Sequence, residues 1–312
     1  MKDFCVIIPA FKKNAIIPDQ LVKSLLGETL IQRAINLSKG LVEKKDIYVV
    51  TDSQEISLIA ERNKINVKYN PKLNFNSREV LKNIHHYFDF FSKKYKSFLL
   101  YRANAPLVTG KIINDALECF KANSGHIIVS VKKESRRIFK KDKGGLNAFF
   151  MKGESNYFEE VNAFQIAKFI SLKDKQAKLL PYILPYDAAI EIKGYQSWWI
   201  CEKLLGRKRI VFNVIGSLAV GMGHIYRSLS LAHDIIDHEI IFVCDETNQL
   251  AVDKIASKDY QVLFCKKAKI TDFIISLEPD LVINDVLDTE KANILKLKHS
   301  EIKIVNFEDF GS

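Results

Sequence analysis

The sequence predicts an α/β protein built from two Rossmann-like, three-layer domains. Three observations carry that expectation. Short apolar runs alternate with longer amphipathic stretches through most of the 312 residues. A charged tetrapeptide, Gly206-Arg207-Lys208-Arg209, interrupts the alternation, which then begins afresh. In the second stretch a glycine-rich turn, Gly221-Met222-Gly223, separates an apolar run from an amphipathic one. Strands spaced by helices of roughly 10–20 residues imply right-handed βαβ units and a mainly parallel sheet. At about 100–200 residues per domain the length suits two domains. They are expected at 1–205 and 210–312, joined by the linker 206–209.

Taken in order, Phe4–Pro9 reads as a buried strand. Leu30–Leu41 reads as a helix, with apolar residues at Leu30, Ile31, Ala34, Ile35 and Leu37. Asp46–Asp52 is a strand, and Ser53–Asn63 a helix with Ser53 as its N-cap. A short strand at Val67–Tyr69, a helix at Ser77–Tyr95, a strand at Phe98–Tyr101, a helix at Gly110–Asn123 and a strand at His126–Val131 follow. From 132 to 164 the pattern changes. Arg136–Phe139 and Leu146–Met151 flank Lys141-Asp142-Lys143-Gly144-Gly145, whose Gly-Gly pair supports a tight reversal, so a hairpin is expected. It would project from the sheet and serve a partner subunit. A strand near Ala188–Ile192 and a helix at Ser197–Leu205 close the first domain. The second predicts strands at Ile210–Ile215, Glu239–Cys244, Gln261–Phe264, Leu281–Asn284 and Lys303–Phe307. Its helices are His224–Ile236, Thr247–Lys258, Thr271–Leu277 and Thr289–Leu297. A doubly wound domain is ordinarily covered by a helix after such a last strand. The second domain is therefore expected to be part of a longer fold.

Composition narrows the function classes. Hydrophobic residues make up 47% of the chain, enough for real cores. No apolar run approaches the roughly 20 residues that cross a bilayer. Met1–Ile8 reads as a strand stopped by Pro9 rather than as a signal peptide. The five cysteines are odd in number and form no C-x-x-C, which fits free thiols in a reducing, cytoplasmic compartment. The net charge of +10 raises nucleic acid as a partner. But Lys and Arg are dispersed, with local runs only at 132–143 and 207–209, and no nucleic-acid-binding motif is present. Neither nucleic acid nor membrane is expected as a partner; a basic surface also suits anionic nucleotides.

Ile8-Pro9-Ala10, Ile17-Pro18, Leu25, Gly27 and Leu30-Ile31 stand in one ungapped order near the N-terminus. Val50-Thr51-Asp52-Ser53, Asn104-Ala105-Pro106-Leu107, Asn162-Ala163-Phe164 and a closing helix with Trp198 and Cys201-Glu202-Lys203-Leu204-Leu205 follow. This set resembles the CMP-sialate and CMP-nonulosonate synthetases over about 1–205. The resemblance implies a nucleotide-diphospho-sugar transferase-like mixed sheet. It also implies transfer of CMP from CTP to a sugar acid, with pyrophosphate leaving, and a homodimer formed through an inserted segment, here 132–157. Such chemistry needs cations, backbone N–H groups and Mg²⁺ held by carboxylates. No organic cofactor is implied. Ala10, Lys12, Lys13, Lys23, Arg102 and Asn104 are the nucleotide-binding candidates, and Glu191 and Asp52 the metal candidates. The chain departs from the family pattern in several places. The loop arginine is Phe11, the two glycines are Lys12 and Lys13, two lysines are Ala15 and Gln20, and an asparagine is Leu21. The metal-binding D-x-D aligns with Glu191-Ile192-Lys193, and a glutamine with Arg102. A lysine there would repel the cation it should help bind. Two readings stay open. In one, Lys12, Lys13, Lys23 and Arg102 supply the charge, and Asp52 or Asp187 joins Glu191. In the other, the fold persists and the transfer is lost.

The second domain holds Gly221-Met222-Gly223-His224-Ile225-Tyr226-Arg227-Ser228-Leu229-Ser230-Leu231-Ala232 between strand and helix. Glycines there allow close approach of a ligand, and a helix start favours an anion. The run resembles the UDP-sugar hydrolase of pseudaminic acid biosynthesis, a relative of GT-B glycosyltransferases. That resemblance makes this domain the first half of a GT-B-like fold and His224 the base that activates water at an anomeric carbon. Histidine suits the task because an imidazole titrates near neutrality. Gly221, Gly223 and Arg227 form the expected phosphate or sugar loop. Asp285, at a strand's carboxyl end, is a second catalytic candidate. Three functions follow: CMP transfer to a sugar acid, hydrolysis of a nucleotide sugar through His224, or a non-catalytic scaffold that binds a nucleotide or a partner.

Overall fold

The computed structural model describes residues 2–12, 16–72, 80–123, 125–133, 138–142, 144–149, 157–287 and 289–307. The chain divides into two compact units, Met1–Leu205 and Gly206–Ser312.

In chain order the first unit holds β1 (Lys2–Ala10), β2 (Ser24–Leu25), β3 (Glu28–Thr29), α1 (Leu30–Lys39), β4 (Ile47–Thr51), α2 (Gln54–Arg62) and β5 (Asn66–Tyr69). Then come α3 (Val80–Lys94), β6 (Tyr95–Tyr101), α4 (Gly110–Ala122), β7 (Ile127–Lys133), β8 (Ile138–Asp142), β9 (Gly145–Phe149), β10 (Phe158–Lys168), β11 (Leu179–Ile183) and α5 (Tyr195–Leu205). Seven strands form one sheet in the order β11-β7-β10-β6-β1-β4-β5. Only β10 runs antiparallel to its neighbours. β1 lies centrally and is buried from Cys5 to Ala10. Its alternate residues serve opposite faces, as a strand's period of two requires. Val6, Ile8 and Ala10 join a core with Leu30, Ile31 and Ile35 of α1, Ile56 of α2, Ile113 and Phe120 of α4 and Cys201 of α5. Cys5 and Ile7 face Phe88 and Phe91 of α3. Burying side chains of this size contributes roughly 1.5–3 kcal/mol each.

Local signals explain several boundaries. Thr29 caps α1 by accepting from the Gln32 N–H, and Ser53 caps α2 by accepting from Ile56. The expected hairpin is present as β8 and β9, a separate two-stranded sheet with Ile138 opposite Phe149. Its outer expected residues, Arg136 and Met151, lie outside the described ones. The strand expected at Ala188–Ile192 is not formed. Asp187–Ala189 is a single 3-10 turn. The Ile192 backbone is taken by other loops: its N–H donates to the Asn104 carbonyl and its carbonyl accepts from Gln20 Nε2. The last strands of the sheet are instead β10 and β11.

The second unit runs β12 (Arg209–Val214), α6 (Gly223–Asp234), β13 (Glu239–Asp245), α7 (Gln249–Ala256), β14 (Gln261–Cys265), α8 (Ile270–Ser276), β15 (Leu281–Asp285), α9 (Lys291–His299) and β16 (Lys303–Asn306). Its five strands are all parallel, in the order β14-β13-β12-β15-β16. Numbered within the unit this is 3-2-1-4-5, so the winding direction reverses between β12 and β15. In such sheets the crevice at the strands' carboxyl ends opens at that reversal. α6 and α7 cover one face through Ile225, Leu229, Ala251 and Ile255, and α8 and α9 the other through Ile274 and Leu297.

Among the described residues no helix is long and apolar enough to cross a membrane. All five cysteines are free.

Candidate functional site

In the second unit the reversal point carries a built polar cluster. The loop after β12 passes close to α6 at Gly216, where an added Cβ would lie 2.5 Å from Ile225 Cγ1. It turns back at Gly221, whose positive φ of 88° suits glycine and whose N–H donates to the Ser217 carbonyl at 2.8 Å. α6 then begins at Gly223 without a side-chain cap. Residues three and four apart share a helix face, so His224, Arg227 and Ser228 point together. They meet Asp285, the last residue of β15.

Asp285 is fully buried. His224 Nδ1 lies 2.8 Å from its Oδ1. Arg227 donates from Nε to Oδ2 at 3.1 Å and from its terminal nitrogen to Oδ1 at 2.5 Å. Ser228 Oγ donates to Oδ2 at 2.8 Å. Burial alone would raise the Asp285 carboxyl, but the hydrogen bonds from Arg227, His224 and Ser228 outweigh it and hold it below the ordinary carboxylate range. An ionised carboxylate can only accept, so the 2.8 Å contact assigns a proton to His224 Nδ1, and in the neutral ring the lone pair is then on Nε2. Arg227 lies farther from that Nδ1, at 3.4 Å. Nε2 has no hydrogen-bond partner among the described residues. The arrangement is a carboxylate that orients an imidazole, whose outer nitrogen is set to take a proton.

An amide ladder braces this edge. Asn213 Nδ2 donates to Asn284 Oδ1 at 2.9 Å, and Asn284 Nδ2 donates to Asn306 Oδ1 at 2.9 Å. These residues are in register on β12, β15 and β16. The Arg227 guanidinium lies 5.1 Å from the centre of the Phe307 ring. Sequence reasoning named His224, Arg227, Asp285, Gly221 and Gly223, which the structure places at one edge. It missed Ser228, although the spacing from His224 signalled a shared helix face. It also missed the asparagine ladder, which no local pattern marks.

The first unit presents its own carboxyl edge, where β1, β4 and β6 end. Ala10 is the buried last residue of β1. The Lys12 backbone N–H donates to Asp52 Oδ1 at 2.9 Å. Its ammonium sits 3.2 Å from Asp19 and 3.5 Å from Glu55, and the hydrogen bond to Asp19 above all raises its pKa. Lys12 is thus engaged by surface carboxylates. Lys13 and Ala15 lie outside the described residues. Lys23 is exposed, and its backbone N–H bonds the Asp19 carbonyl. Phe11 packs against the α3-side core and Leu21 against the other.

Arg102 follows β6 and donates its backbone N–H to the Ala163 carbonyl. Burial pushes its guanidinium pKa down, and the charges of Glu191 and Glu160 counter that shift. Among the described residues Asn104 Oδ1 is buried without a hydrogen-bond partner. Glu191 Oε1 accepts the Asn162 N–H at 2.9 Å and lies 3.1 Å from the Lys193 ammonium. The loops at 20, 102–104 and 191–193 are therefore knit to one another and to Asn162 of β10.

The metal expectation fits this edge poorly. Among the described residues no group of three or more His, Cys, Asp or Glu side chains could hold a metal ion. Glu191 is paired with an ammonium, and one oxygen of Asp52 holds a backbone N–H. A Mg²⁺ ion held through one or two carboxylates and substrate phosphates would here stand beside the Lys193 ammonium, a like charge that this donor set sets against it.

The chain matches no protein-family model. A curated relative, an uncharacterized protein of Methanocaldococcus jannaschii, is 32% identical over 98 residues. Those residues are 30% of this chain and 20% of that protein, so the match spans about a fifth of the relative's length. Among solved structures, 4-diphosphocytidyl-2C-methyl-D-erythritol synthase from Anaerococcus prevotii aligns with a TM-score of 0.50 at 13% identity. That alignment covers 66% of this chain and 97% of the synthase. A CMP:2-keto-3-deoxy-manno-octonic acid synthetase complexed with CTP gives a TM-score of 0.47 at 8% identity, over 66% of this chain and 99% of that one. The likeness to the first shows the fold alone, a Rossmann-like α/β fold over 66% of the chain.

Proposed function

We propose that the chain acts in sugar-acid activation, its first unit binding CTP and transferring CMP to a sugar acid of the nonulosonic class. The observation that carries this reading is the edge where β1, β4 and β6 end. There Arg102 and Lys193 are charged residues of the loops that meet at Asn104, whose buried Oδ1 has no hydrogen-bond partner among the described residues. The fold supports it, since a synthase whose own name describes a cytidyl product shares that fold. In the reaction a sugar hydroxyl oxygen bonds to the α-phosphorus of CTP and gives up its proton to solvent, the bond to the bridging oxygen breaks, and pyrophosphate leaves. Arg102 and Lys193 would balance charge that gathers on the phosphates. Calorimetric titration of the chain with CTP tests the reading. Micromolar binding, with UTP at least about tenfold weaker, is expected. No CTP binding in any condition overturns it. The same reading makes the β8–β9 hairpin a subunit contact, which a mass of one 35.7 kDa chain in light scattering refutes.

A second reading is favoured by the Asp285–His224 pair. Here the second unit cleaves a nucleotide sugar. His224 Nε2 takes a proton from water, the water oxygen bonds to the anomeric carbon, and the bond to the nucleoside diphosphate breaks. His224→Asn should lower nucleoside diphosphate release from UDP-sugars by about 10²–10⁴-fold. Equal release by variant and parent refutes this reading. If neither unit turns over substrate while CTP still binds, the chain is a nucleotide-binding scaffold.

A further inference from the structure

We propose that Lys193, carried on Glu191, is a built-in cation that lets the first unit bind a polyphosphate anion without a divalent metal ion. This rests on the nucleotide reading of that unit and deepens it.

The Glu191 side chain is 5% exposed and that of Lys193 is 62% exposed. The ammonium therefore lies on the solvent side of a buried carboxylate, where an arriving anion meets it first. Both its contact and the Asn162 N–H use the same oxygen, Oε1. A Mg²⁺ ion would need such an oxygen at about 2.0–2.1 Å. It could take it only by displacing the ammonium or standing beside a like charge. The lysine is also positioned by its backbone. Ser197 Oγ accepts the N–H groups of Lys193 and Gly194 at 2.9 and 3.2 Å and donates to the Gly194 carbonyl. Arg102 adds a second cation that interacts with Glu191, and exposed Glu160, which Gln165 engages, also acts on Arg102. An independent observation points to a ligand at this edge. Asn104 Oδ1 is a buried acceptor with no donor among the described residues, and the Asn104 backbone carbonyl holds Ile192 between Glu191 and Lys193. Buried polar atoms ordinarily find partners. A nucleotide brings both what the ammonium needs, a phosphate anion, and what Asn104 needs, an N–H or O–H donor.

The test is calorimetry on the full chain with CTP and with inorganic tripolyphosphate, each in EDTA and in excess Mg²⁺. The parent should bind both anions in EDTA, and Mg²⁺ should weaken binding or leave it unchanged, because it neutralises the anion in solution. Lys193→Met should weaken binding in EDTA about tenfold, which corresponds to about 1.4 kcal/mol. Lys193→Arg should retain it, which separates lost charge from a disturbed fold. Lys193→Asp should bind poorly in EDTA and recover with Mg²⁺. If tripolyphosphate binds in a Lys193-dependent way and CTP does not, the inference stands and the cytidine reading falls. If CTP binds the parent only with Mg²⁺, or Lys193→Met binds like the parent, the inference falls and the cytidine reading stands. If neither anion binds, both fall.

Discussion

Replacing Asp285 by Asn isolates the charge that holds the second unit's site together. The side chain is fully buried and accepts from His224, twice from Arg227, and from Ser228. Hydrogen bonds to an ionised group contribute about 1.5–3 kcal/mol each, but they are not additive. Breaking a buried charge pair costs about 3–5 kcal/mol because the partner is left unpaired. Here the Arg227 side chain is 33% exposed, so water can solvate it in part. The lower figure is the better estimate, about 3 kcal/mol. The Asn amide also turns one acceptor into a donor that faces Arg227. A chain of two units need not unfold in one step, so the assay is native-state amide exchange resolved by segment. Amides of α6 and β15 should open about 3 kcal/mol more easily, and those of β1 and β6 should not change. A loss under about 0.5 kcal/mol in α6 and β15, or an equal loss in the first unit, refutes the reasoning. The pH dependence has a definite sign. The folded-state pKa of Asp285 is depressed, so its contribution is fully present above the unfolded value of about 3.9. It is lost as pH falls through the lower folded value. The parent should show that acid-linked loss in α6 and β15, and Asp285→Asn should lack its share.

Three further substitutions probe the scaffold. Gly216→Ala puts a Cβ 2.5 Å from Ile225 Cγ1 and 3.2 Å from Ala251 Cβ, so exchange in α6 should report a loss of about 1–3 kcal/mol, partly recovered with Ile225→Val. Gly221→Ala meets nothing within 4 Å, so its cost is backbone alone, about 1 kcal/mol for the positive φ of 88°. Ser53→Ala removes the α2 cap, whose bond to Ile56 N is 3.4 Å long; protection of the α2 amides against exchange should fall by about 0.5–1 kcal/mol.

What the sequence made legible follows from where the physics is local. Ser53 as an N-cap, the buried run that became β1, and the restart of the alternation at 210 all rest on nearest neighbours or on one face of one element. β10 escaped because its residues satisfy two antiparallel partners, with a register shift between Glu160 and Gln165 that breaks any simple alternation. β11 escaped because Pro181 argues against a strand, which holds for central strands; β11 lies at the sheet edge, where proline is tolerated. Ala188–Ile192 misled in the opposite sense. It is apolar because Ala188, Ala189 and Ile192 are buried, yet its backbone bonds go to loops. At the sites, His224 and Asp285 were visible separately, as a residue after a glycine turn and a residue ending a strand. Their pairing was not, because it depends on the strand order that makes β15 rather than β13 the neighbour on that side of β12.

The two units answer one physical question in different ways. Each holds a buried carboxylate at a sheet edge, Asp285 and Glu191, and such a group must be compensated. Asp285 is compensated mainly by an arginine that binds both its oxygens, so the imidazole is held in place and its outer nitrogen remains for a reacting proton. Glu191 is compensated by a backbone N–H and an exposed ammonium whose other donors face solvent. An imidazole with a lone pair suits proton transfer; an ammonium has three donors and no acceptor, so it suits an anion. The chemistry at each edge is thus set by the carboxylate's partner. That is why the Lys193 and His224 variants should separate the units' roles, one moving affinity for phosphate and the other moving turnover.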